Sequence, residues 1–287
     1  MAAFIPLPRV GEWYARRARA TAEAVGDLPT LVWTSIAVSL FRMGWGRWDE
    51  IERAIGEALE ISERLGDRRR RTETLGALTM KALYHGDFEQ SIERARLFGE
   101  AARAGGDLQN QAHALVFGAQ SLLAMGRLAE AVESAEQGAA MMTSGFSKFE
   151  VIWCRGVLAE AYWRQGNRAA ALVSADQAWR LIKRSPITTI FALGGFVGIA
   201  EVYLDCWEHG ERRAARRAWA ACAALLGYAR VFPIARPRAF LCLGRALWLS
   251  GQAAPARRAW ARAVTAAEAL AMPHDKALAH QELARHR

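Results

Sequence analysis

Four glycines, Gly46, Gly86, Gly126 and Gly166, stand 40 residues apart, and each opens onto a stretch with helical periodicity. A repeat of this length is the mark of a solenoid built from one supersecondary unit used again and again. A second series, Gly26-Asp27, Gly66-Asp67 and Gly106-Asp107, keeps the same period and falls about midway between the members of the first. Two breaks per period predict two helices per period. Glycine suits both breaks because the residue just past a helix end often takes the left-handed conformation, which costs glycine little. The aspartate that follows can cap the next helix or tighten the turn.

The helix after the first break shows why such a unit cannot stand alone. Ile51, Ala54, Ile55, Ala58, Leu59 and Ser62 follow 3-and-4 spacing, while Glu52, Arg53, Glu57, Glu60 and Arg64 take the other face. Burying that stripe requires neighbouring helices, so the units must stack. An array of 287 residues needs no division into separate cores, and 52% hydrophobic residues with only 8 prolines exclude a disordered chain. We therefore expect a single, soluble, cytoplasmic helical-repeat domain over residues 1–287.

A period of 40 also fits the two-helix HEAT class, so length leaves the family open. The turns are more specific. Gly86-Asp87-Phe88-Glu89-Gln90-Ser91, Gly126-Arg127-Leu128-Ala129-Glu130-Ala131 and, more loosely, Gly46-Arg47-Trp48-Asp49-Glu50-Ile51 place a polar, a bulky, two polar and a small residue after glycine. In this the chain resembles the tetratricopeptide repeat. Ala171, Ala215 and Ala256 hold the small close-approach position after Gly166, Gly210 and Gly251. The resemblance implies an all-α, right-handed superhelical solenoid of paired antiparallel helices, with units longer than the family's usual 34 residues.

The expected organisation is a half repeat over 9–26, repeats over about 28–66, 68–106, 108–146, 147–186, 187–228 and 237–272, and a capping helix over 273–286. An array that begins mid-repeat suggests further sequence upstream. The fifth pair of helices is expected at 188–208 and 211–227. Pro233 and Pro237 make Tyr228 to Arg238 a non-helical excursion or a kinked entry to the next helix. The segments Ala229 to Arg238, Ser250-Gly251-Gln252 and Ala271 to His286 are similar to the end of a bacterial group in which a class III nucleotide cyclase or other output domain precedes a STAND-type ATPase and a C-terminal repeat array. Only the array is present, so the cyclase and ATPase activities do not carry over.

The charge of +9 comes from arginines scattered over helix faces, with Lys only at Lys81, Lys148, Lys183 and Lys276. No nucleic-acid reader motif accompanies it, and no nucleic-acid or membrane partner is expected. The four consecutive arginines Arg68 to Arg71 open a helix and fit a solvated turn. Cys154, Cys206, Cys222 and Cys242 lie far apart among apolar neighbours, which suits buried free thiols better than a zinc or redox site. Phe4 to Leu7 is broken by prolines and followed by arginines, unlike a signal peptide. The uncharged run from Ile187 to Ala200 is too short to cross a bilayer and is expected to be a buried helix.

Catalytic signatures are missing. There is no GxxxxGK[ST] loop, GxSxG elbow or HExxH pair. Gly194, Gly195 and Gly198 lie in an apolar helix, where close packing explains them better than a dinucleotide fingerprint, and His274, His280 and His286 rotate around a helix instead of aligning as ligands. No cofactor, no metal and no enzymatic activity are expected.

In the tetratricopeptide family the first helix of each repeat lines the concave groove. Counting back 13 from the turn glycines gives Trp33, Glu73, His113 and Trp153; counting back six gives Gln120 and Glu160 among others; counting back three gives Trp163, beside Arg164. The resemblance implies that these eight side chains face a ligand. Rings flanked by polar groups suit a protein or peptide partner, with a small-molecule effector or a second copy of the chain as alternatives. The same tryptophans at helical spacing also fit a packed core, as Trp219 and Trp260 do on second helices.

Overall fold

The computed structural model describes residues 8–142, 145–183, 187, 189–211 and 213–286. They form fourteen α-helices and, among the described residues, no strand. A lone helix α1 (Pro8–Val25) is followed by the pairs α2 (Leu28–Met43) and α3 (Trp48–Arg64), α4 (Arg68–His85) and α5 (Phe88–Ala104), and α6 (Leu108–Ala124) and α7 (Leu128–Met141). Then come α8 (Lys148–Gln165) and α9 (Arg168–Ile182), α10 (Leu193–Glu208) and α11 (Ala214–Val231), and α12 (Arg236–Leu249) and α13 (Ala253–Ala269), with α14 (Pro273–Arg285) last.

Both glycine series do what their spacing predicts. Gly26, Gly46, Gly66, Gly86, Gly106, Gly126, Gly166, Gly210 and Gly251 all have positive φ, where a side chain would be strained. Asp27, Asp67 and Asp107 then cap the next helices, their side chains accepting from the backbone N–H groups of Thr30, Arg70 and Asn110 at 3.0–3.1 Å. Ile51, Ala131, Ala171 and Ala256 are fully buried at the close-approach position. The fifth repeat departs from the expected register. Its second helix starts only at Ala214, and Ala214 takes the buried position that Ala215 was expected to hold.

Two further expectations need adjustment. The fifth pair does not open as one helix: a short 3-10 turn, Ile190–Ala192, precedes α10. The proline segment is less irregular than its composition suggests, since α11 runs on to Val231 and another 3-10 turn, Pro233–Ala235, leads straight into α12, where Pro237 sits in the first turn. There its missing N–H leaves no bond unmade. The stretch Ile190–Glu208 is long and apolar enough to span a membrane by length and composition, but 78% of its apolar window is buried inside the protein, so it is a core helix.

The first helices α2, α4, α6, α8, α10, α12 and α14 adjoin one another in turn and make the inner layer, with the second helices outside. Backbones approach closely between α8 and α10. A Cβ on Gly156 would come within 2.3 Å of the Gly195 carbonyl oxygen, and one on Gly198 within 2.2 Å of the Gly156 oxygen. Backbone therefore lies directly on backbone, the role expected of the glycines of α10.

The array curls until its ends meet. Trp48 Nε1 donates to the Leu270 carbonyl oxygen at 2.7 Å, and the Ile234 N–H donates to the Gly44 oxygen at 2.9 Å. One turn further on, the Phe88 ring meets His274 edge to face, 4.7 Å between centroids. The inner layer thus faces itself across a central cavity.

Candidate functional site

At that centre lies a cavity of about 330 Å³, walled by residues of α4, α6, α8, α10, α12 and α14. Tyr84, Phe88, Leu193 and Val197 make its apolar side, and Gln120, Glu160, Arg164, Glu201, Asp205, Arg238, His274 and Asp275 its polar side. The polar groups are organised in ion pairs. Arg245, behind the wall, binds Glu201, Asp205 at 2.6 Å and Glu208 at 2.7 Å. Arg238 Nε lies 2.7 Å from Asp275 Oδ1 and its Nη1 3.9 Å from Glu201. Arg164 Nη1 donates to the Leu123 carbonyl oxygen at 2.7 Å.

Burial pushes the Glu160 and Asp205 carboxyls above the usual carboxylate range, against the opposing pull of Arg238 and Arg245. Burial, aided by Arg238, lowers the His274 imidazole, which favours its neutral form at neutral pH. The lining mixes charged and apolar side chains, as ligand pockets do. Among the described residues, no group of three His, Cys, Asp or Glu is placed to hold a metal ion. All four cysteines are buried and free, and burial raises the Cys154, Cys206 and Cys222 thiols to about 12.

Of the eight side chains expected to face a ligand, Gln120, Glu160 and Arg164 line the cavity. The others stand elsewhere. Trp33 is 48% exposed at the N-terminal end of the array, with the Arg70 guanidinium 4.8 Å over its ring. Glu73 is bound by Arg69 and Arg70, two of the four consecutive arginines. His113 Nε2 donates to Glu150 at 2.6 Å and packs its ring edge-on to Trp153.

Trp153 is fully buried and gives its indole N–H to Gln120. It shares the inner face of α8 with Glu160, but a Cβ on Gly195 would touch Trp153 Cα at 2.7 Å, so the backbone of α10 lies over it. Trp163 is 9% exposed and turns away, with its ring against His209 and under Arg168. The eight side chains are accordingly divided among the cavity wall, the core and the surface.

Glu201, Asp205, Arg238 and Asp275 were missed. Extending the count of 13 back from the turn glycine to Gly210 and Gly251 gives Val197 and Arg238, both in the wall, so part of that signal is present in the sequence.

No protein-family model matches the chain, and no curated protein matches it in sequence. Solved structures do. A Rap protein complexed with competence and sporulation factor superposes with a TM-score of 0.56 at 11% identity, over 88% of this chain and 74% of that one. The apo form of the quorum sensor NprR from B. thuringiensis gives a TM-score of 0.56 at 12% identity, over 98% and 86%. The fold is a tetratricopeptide-like solenoid. Identities this low speak for the fold alone.

Proposed function

We propose that this tetratricopeptide-like chain is a non-catalytic regulatory array that takes a short peptide, or a segment of a protein partner, into its central cavity. The observation that carries the reading is the wall itself: six successive first helices each contribute side chains to one concave, mixed polar and apolar space. Gln120, Glu160 and Arg164 are the groove residues assigned to the ligand. The structural neighbours lend support, since one is bound to a factor and the other is a quorum sensor. The similarity of the C-terminal stretch to arrays of cyclase and STAND-type ATPase proteins supports a place in a bacterial signalling system, in the cytoplasm.

A small-molecule effector is the second reading, favoured by the cavity volume, which stands at the lower end of the roughly 300–1,000 Å³ of ligand pockets. Native mass spectrometry of the full chain after incubation with separate peptide and metabolite fractions of a bacterial extract separates the two. The proposal expects a retained peptide mass that disappears with Leu278→Trp, which fills part of the cavity from α14 without changing its charge. Retention of a metabolite alone supports the second reading, and retention of neither overturns both.

A further inference from the structure

We infer that the cavity selects a positively charged group, an ammonium or guanidinium carried by the bound segment, and seats it against Glu160. The inference rests on the reading of the cavity as a binding site. Four carboxylates, those of Glu160, Glu201, Asp205 and Asp275, line the cavity beside only two guanidinium groups, Arg164 and Arg238. The chain as a whole has the opposite balance, 38 Lys and Arg against 29 Asp and Glu. Arg245 does not restore the balance behind the wall, because it brings Glu208 with it.

Two acceptors in the wall are left without a proper donor. The nearest cation to Glu160 is Arg164 Nη1 at 3.9 Å, beyond hydrogen-bond reach, and that same nitrogen is engaged by the Leu123 carbonyl. The Glu160 side chain is 22% exposed. Asp275 is 7% exposed, and its Oδ1 is buried with no aligned hydrogen-bond donor, although Arg238 Nε lies 2.7 Å away. Every other carboxylate of the wall is held by Arg245.

Unmet buried acceptors are costly, and a ligand that supplies N–H donors relieves them. An ammonium offers three donors and a guanidinium five, each with the charge to match Glu160. An anion on the same spot would face four carboxylates. The elevated Glu160 carboxyl fits the same picture: a charge that burial disfavours becomes favourable when a cation arrives.

The test is isothermal titration of the full chain near neutral pH with three probes: pentapeptide pools carrying one Arg or Lys, matched pools carrying one Glu instead, and agmatine, which bears both an amine and a guanidinium. Binding of the cationic pools, competition by agmatine, and at least tenfold weaker binding of both to Glu160→Gln are expected. Glu160→Gln keeps the side-chain shape and removes an unpartnered charge, so its melting temperature should equal or exceed that of the parent. Binding of the acidic pools alone overturns the charge inference and leaves the peptide reading standing. Agmatine binding that depends on Glu160, with no peptide bound, supports the charge inference and sinks the peptide reading. Silence from all three probes, or equal binding by Glu160→Gln, overturns the inference.

Discussion

Trp48 donates its indole N–H to the carbonyl oxygen of Leu270 at 2.7 Å, across 222 residues of sequence, and in doing so joins the α2–α3 end of the array to the loop before α14. Trp48→Phe keeps most of the ring and leaves the Leu270 oxygen without its donor. A loss of about 1–2 kcal/mol of stability is expected, together with faster amide exchange in α14. Unchanged exchange there would show that the closure does not depend on this bond.

The glycine contact between α8 and α10 gives a prediction with its own control. Gly156→Ala and Gly195→Ala place a Cβ 2.3–2.4 Å from backbone oxygen of the facing helix, which cannot rotate aside. Each should cost about 1–3 kcal/mol or more. Gly56→Ala, inside α3 with nothing within 4 Å, should stabilise by about 0.5–1 kcal/mol. Chemical denaturation of the three variants reads the difference, and equal midpoints would refute the backbone contact.

Ala131→Trp and Ala171→Trp introduce bulk at fully buried positions where paired helices meet. Strain of about 1–3 kcal/mol or more should follow. Glu130→Ala should change stability by about 0.5 kcal/mol or less, because Glu130 is exposed and its ion pair with Arg127 is a surface one. Comparable melting temperatures for all three would mean the repeat register is wrong.

Glu150 makes the joint between α6 and α8 sensitive to acid. Burial alone would raise its carboxyl, but donors from His113, Gln109 and Ser147 outweigh burial and hold it at about 2. A carboxylate depressed in the folded state contributes stability above its unfolded value, about 4.3, and loses it as pH falls through the folded one. The loss should therefore fall between roughly pH 4.3 and 2, with a limit on the order of 3 kcal/mol at 1.36 kcal/mol per pKa unit. Thermal melts of the parent and of Glu150→Gln should converge across that window, the variant being the less stable at neutral pH. A constant gap between them at every pH would show that the ionised form is not the one stabilised.

Helix pairing could be read from the sequence because glycine conformation and apolar spacing are local properties, and Gly46, Gly86, Gly126 and Gly166 announce each turn without reference to anything distant. The cavity could be read only in part. Gln120, Glu160 and Arg164 lie at fixed offsets from those glycines on an inner face that the family resemblance implies. Arg238 and Asp275 reach the same cavity because α12 and α14 are brought round to face α4, and that depends on how closely α10 sits on α8. Periodicity reports which face of a helix is apolar and is silent on the distance between two backbones. For the same reason it could not show that Trp153, on the right face, would be covered by Gly195.

A ring with a latch has a fixed circumference. An open array of repeats can lengthen or shorten by one unit and still present sound ends to the solvent, so such proteins vary readily in size. Here the insertion or loss of a single 40-residue unit anywhere between Trp48 and Leu270 would carry those two residues apart and move the helices that wall the central cavity. The number of units between Trp48 and Leu270 is thereby tied to the central space.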